Sequence, residues 1–190
     1  MKTLVIASLL ALPLAAQAPT PKAQAPVAEP TVGAAMDRMY QLVTDQFTGA
    51  AEAMPEDKYD WAPTQGEFKG VKTFAQEVKH VAAVNFLLGS NLLGEKPPAE
   101  VGNPEMGPDS LKTKADIVKY MKDSFQYAHK AMLSITAQTG CRAVKSPFGQ
   151  GPDLTPIGIA TILGFHGMDH YGQMVEYLRM NGIVPPASRH

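Results

Sequence analysis

Apolar side chains recur along this chain at steps of three and four residues, in four separate segments. That is the period of a helix with one buried face. In the first segment, from about Gly33 to Met54, the recurring positions are Met36, Tyr40, Val43, Phe47 and Met54. Met54-Pro55 closes it, because a residue before proline avoids the helical region. The second segment, from about Val71 to Leu93, alternates threes and fours through Val71, Phe74, Val78, Val81, Asn85, Leu88 and Leu92, a bundle seam, and Gly94 suits its C-terminal cap. The third runs from about Leu111 to Gln138 on the stripe Ile117, Met121, Ser124, Ala128, Ala131 and Ile135, with Asp109 or Ser110 as candidate cap. The fourth starts behind Asp153 or Thr155, takes Pro156 in its first turn and stops at Asn181-Gly182 before Pro185-Pro186. No alternating run of β-branched residues reads as a strand. The pattern predicts an all-α protein, a four-helix bundle.

The connections between the segments are long and rich in Pro and Gly. At about 3.3 Å per residue a stretched loop of such size spans the length of a helix. At least one pair of successive helices can therefore run parallel, across a long crossover connection.

The first residues belong to another category. Lys2 precedes the apolar run Leu4–Ala16, and Ala16-Gln17-Ala18 has the A-x-A form of a cleavage site. The run falls short of the roughly 20 apolar residues of a membrane span. Residues 1–18 read as a secretory signal peptide cleaved after Ala18, residues 19–32 as a Pro/Ala-rich linker, and residues 33–186 as the domain. The expected product is periplasmic or secreted, with no membrane insertion after signal removal. Cys141 is the single cysteine, so an intrachain disulfide is excluded. With 17 Lys and Arg against 18 Asp and Glu, there is no electrostatic case for nucleic acid or an anionic membrane.

Candidate chemistry lies with the histidines. His166 and His170, four apart on the fourth helix, put their rings on one face a turn apart. That face is also the apolar one, carrying Leu163, Met174 and Tyr177. Two such imidazoles suit one metal ion; the alternative is a pair of hydrogen-bonded core histidines. Gly167 follows His166 where H-E-x-x-H peptidases carry their general base, which disfavours that chemistry. His80, mid-helix among Val81, Val84 and Leu87, is the candidate third ligand, although its helical angle places it on the flank of the seam. Glu77 and His80 form one E-x-x-H, but a second copy is missing, since Arg179 follows Glu176, so a di-iron site is not expected. His129, off its seam, reads as solvated, and the C-terminal His190 as mobile.

The run HxxxHxxQMxxYLRxxGxxPP (His166 to Pro186), preceded by YDWAPT and VKTFAQEVKHV (Tyr59 to Val81), resembles the DinB/YfiT-like superfamily from about Met36 to Pro186. The resemblance implies a four-helix bundle whose middle helices run parallel, and a three-histidine site at His80, His166 and His170. It also suggests Gln173 and Asp169 as residues supporting the ligands, while Trp61 and Pro63 read as closing one end of the bundle.

Three neutral imidazoles leave a coordination position open. One divalent ion, zinc or nickel, is the expected cofactor, although imidazole also suits copper and iron. Three functions follow: a metal-dependent hydrolase, a thiol S-transferase or isomerase as among relatives in that superfamily, or a non-catalytic metal- or small-ligand-binding protein. A small-molecule ligand and a homodimer are the expected partners.

Overall fold

The structure, a computed structural model, describes residues 29–149 and 151–189; the signal peptide and most of the linker expected in the sequence lie outside them. Four long helices account for most of the described chain: α1 (Val32–Ala53), α2 (Phe74–Leu93), α3 (Lys114–Leu133) and α4 (Pro156–Met180). Each has a threonine at its N-cap whose hydroxyl accepts a backbone N–H of the first turn: Thr31, Thr73, Thr113 and Thr155. At α2 the cap is reciprocal. The Gln76 side chain returns a bond to the Thr73 N–H, and this closed box starts the helix at Phe74 instead of near Val71. Thr113, not Asp109 or Ser110, begins α3, and Thr155 rather than Asp153 begins α4.

α3 ends at Leu133, short of Gln138. Ile135 remains buried and so continues the apolar stripe past the true end. Its carbonyl, however, accepts the Gly33 N–H at the start of α1, and Thr136 and Thr139 cap each other in the turn that follows. Among the described residues there is no strand, only two isolated bridges, of which Val144–Leu154 brackets the approach to α4.

α2 packs on α3 and α4, and α1 packs on the same two, so consecutive pairs α1/α2 and α3/α4 sit across the bundle diagonals. Contacting residues give the directions. Phe86 meets Tyr120 and Tyr127, and Gly89 abuts Tyr127 and Ala131, so numbers rise together along α2 and α3, which are parallel. Against α4 the order reverses: His80 faces His166, Glu77 faces His170, and the Lys72 carbonyl accepts the Tyr177 hydroxyl. The parallel middle pair requires the long α2–α3 crossover. No described helix is long and apolar enough to cross a membrane.

The core is aromatic and aliphatic, with Tyr40, Phe47, Phe74, Phe86, Phe125, Met121 and Leu163 wholly or almost wholly buried. One polar chain crosses it. The Tyr40 hydroxyl donates to Asn85 Oδ1 at 2.7 Å, Asn85 Nδ2 donates to Ser124 Oγ at 3.2 Å, and that hydroxyl donates to the Met121 carbonyl. Burial raises the Tyr40 pKa well above its ordinary value, so the hydroxyl keeps its proton and its need for an acceptor. Asn85→Ala strands that hydroxyl, and the expected loss is about 1–3 kcal/mol. Urea unfolding should show a lower midpoint at unchanged slope; an unshifted midpoint would mean the chain of bonds contributes nothing.

Candidate metal centre

α2 and α4 run antiparallel, and this places one histidine of the first beside two of the second. His80 is 6% exposed and His170 8%. The three rings are nearly equidistant, with centroids 4.9 Å (His80–His166), 4.6 Å (His80–His170) and 4.6 Å (His166–His170) apart. His80 Nε2 and His166 Nε2 approach to 3.0 Å, and one nitrogen from each of the three rings lies within 4.8 Å of the others. Bonds of about 2.0–2.1 Å from a tetrahedral ion put its nitrogen ligands roughly 3.3–3.5 Å apart. The cluster has the size and the donor type to hold a metal ion.

His80 reaches this place although its helical angle alone puts it on a flank. α2 is buried nearly all round, because the α2–α3 crossover lies along it. Gly107 of that crossover sits against the Lys79 backbone, and Lys79 Nζ donates to the Pro108 carbonyl at 3.1 Å. The Pro104 carbonyl meets His80 Nδ1 at 2.6 Å. A carbonyl only accepts, so Nδ1 carries the proton and a neutral His80 turns the Nε2 lone pair toward the other two rings.

On the opposite side, His170 Nδ1 bonds the carboxylate of Glu77, which is 1% exposed. Glu77 and His80 are three apart on α2 and share a face. The single E-x-x-H of the sequence thus works across the helices, with its glutamate bracing a histidine of α4. His166 is different, since its Nδ1 is buried with no hydrogen-bond partner among the described residues. Burial, followed by the nearby His170 and His80, pushes its pKa down to about 3; burial likewise lowers that of His80. Both are neutral at physiological pH, the state in which imidazole binds metals.

Asp169 and Gln173 are exposed on α4 and contact each other at 3.4 Å. Among the described residues, the hydrogen-bond partners of the three imidazoles beyond the cluster are Glu77 and Pro104. Gly167 faces α1, where a Cβ would stand 2.6 Å from Val43 Cγ1. The position where a peptidase helix would carry a glutamate is therefore filled by a neighbouring helix. Trp61 packs edge-on against Tyr177 at 5.4 Å, and Pro63 is buried, consistent with a cover over one end of the bundle.

His129 is not solvated as expected from its place off the α3 stripe. Its Nδ1 bonds Asp37 at 2.5 Å, its Nε2 lies 2.9 Å from Thr44 Oγ1, and its ring packs on Tyr40. The polar edges of α1 and α3 face each other, which an isolated helix pattern does not reveal. Cys141 is exposed, within the α3–α4 connection.

Residues 39–174 match the family model of the DinB superfamily. The fold is similar to a crystal structure of a DinB-like protein from Bacillus cereus, with a TM-score of 0.64, 15% identity, and coverage of 80% of this chain and 93% of that one. At that identity the likeness concerns the fold. No curated protein matches the sequence.

Proposed function

The chain belongs to the DinB superfamily, and on that footing we propose that it is an exported protein which holds one divalent ion, zinc or nickel, on His80, His166 and His170 and uses it in hydrolysis. The observation that carries this reading is the convergence of three buried or part-buried imidazoles from two antiparallel helices, two of them neutral by the direction of their pKa values. Two also have their second nitrogen engaged from behind. A plain structural role would not call for three polar rings facing each other, one of them with a buried nitrogen left without a partner among the described residues.

A divalent ion on three imidazoles supplies Lewis acidity toward a carbonyl or a water molecule. The chain's own residues do the rest. Pro104 fixes the His80 tautomer, Glu77 holds the His170 ring, and Gly167 lets α1 pack close behind the cluster. Export rests on the Lys2, Leu4–Ala16 and Ala16-Gln17-Ala18 pattern.

The test is an assay of the purified protein against ester and amide substrates and against thiol conjugation, each with and without chelator. Chelator-sensitive hydrolysis that returns with added zinc or nickel is the expected result. Thiol conjugation alone would replace hydrolysis by transfer, and metal binding without turnover on either panel would reduce the protein to a binding role.

A further inference from the structure

The three imidazoles are not supported alike. The second nitrogen of His80 is held by a backbone carbonyl, that of His170 by a buried carboxylate, and that of His166 by nothing among the described residues. From this inequality we infer that Glu77 is the positioning residue of the centre: it fixes the His170 ring so that Nε2, and not Nδ1, faces the other two histidines. The inference rests on the metal reading above and deepens it.

Three observations and one general property of ligating histidines carry it. Glu77 is on a different helix from His170, so the bond spans the α2/α4 interface and registers one helix against the other at the level of the site. Its side chain is 2% exposed, in a place where a carboxylate persists only with a partner. It lies three residues before His80, so one turn of α2 presents both a ligand and the brace for another ligand. A carboxylate behind a ligating histidine also raises the basicity of the ring and offsets part of the charge of a bound cation.

This accounts for a motif otherwise left over. A lone E-x-x-H has too few carboxylates for a di-iron site. Here the glutamate stands behind His170 and the histidine stands in front with His166. Glu77 touches neither a substrate nor a reacting atom in this arrangement, and it acts through the ring it holds.

The test uses the full mature chain and zinc alone. Affinity is measured by competition with a chromophoric chelator for the wild type, Glu77→Gln and Glu77→Ala. Glu77→Ala is expected to weaken zinc binding 10- to 100-fold. Glu77→Gln keeps an acceptor of the same shape and should fall between the two. Cobalt substitution supplies a readout that a merely structural residue would not move: the visible band of the cobalt-loaded Ala variant should shift, and the Gln variant should restore most of it. Because removing a buried carboxylate can compromise folding, the wild type gives an independent measurement. Imidazole nitrogen shifts of the zinc-loaded protein should place the proton of His170 on Nδ1, in slow exchange. Zinc affinity unchanged in both variants, or a His170 proton found on Nε2, overturns the inference while leaving the metal centre in place. A wild type that binds no zinc, nickel or cobalt overturns the metal reading itself, and this inference with it.

Discussion

Replacing His166 and His170 together by alanine should take the metal content of the purified protein from close to one ion per chain to none. His80 alone would remain, and one imidazole in a bundle does not retain an ion against dialysis. The magnitude is accessible through stability as well. A ligand that binds only the folded state adds RT ln(1 + [L]/Kd), about 2.7 kcal/mol at one hundred times Kd. Zinc at that excess should raise the unfolding midpoint of the wild type and leave that of the double variant unmoved. Elemental analysis together with thermal or urea unfolding checks both. Full metal content in the double variant would remove the centre from α2 and α4 altogether.

The second large effect is expected away from the histidines, at Gly107. Its φ of +69° lies in the left-handed region, and a Cβ there would run into the Lys79 Cβ and approach the Lys79 carbonyl carbon and oxygen at 2.9 Å. Neither backbone can yield cheaply, since Lys79 is mid-helix and Gly107 closes a tight turn in which its own N–H bonds the Asn103 carbonyl at 2.7 Å. Gly107→Ala should therefore cost about 2 kcal/mol or more, from left-handed strain and overpacking together. The same turn presents the Pro104 carbonyl to His80, so displacing it should also weaken zinc binding. Urea unfolding of the metal-free variant and chelator competition on the folded fraction read the two consequences separately. A variant as stable as wild type would show that the crossover is not seated on α2.

The fold was largely legible because its punctuation is chemical. Met54-Pro55, Gly94 and Asn181-Gly182 each end a helix where the sequence indicates, and the long connections allow the parallel α2/α3 pair. The departures come from bonds between distant residues. Periodicity carries α3 on through Ile135, but cannot register that its carbonyl is taken by Gly33 at the start of another helix. The same limit applied at the site. His166 and His170 announce themselves by spacing. His80 looks like a flank residue because the element that buries it, the crossover from Pro104 to Pro108, leaves no trace in the period of α2. Glu77 was visible only as half of a motif whose other half is missing, because its partner His170 lies 93 residues further along the chain. Asp169 and Gln173 stand three residues after His166 and His170, yet both side chains lie exposed and bond each other instead of the rings.

Val43 standing behind Gly167 has a consequence for anyone wishing to redesign the centre. Converting HGMDH into the HEMDH of a protease helix looks like a change of a single residue on paper. In space the new glutamate would have to grow through the γ-methyl of a stiff, β-branched neighbour on α1, 2.6 Å from where its first side-chain carbon would stand. An engineer would first have to carve Val43 down to alanine or glycine, and would lose part of the α1/α4 seam in doing so. The route from this scaffold to a peptidase therefore passes through a less stable intermediate, and a proton acceptor is better recruited from the crossover side of the cluster than from the helix bearing the paired histidines.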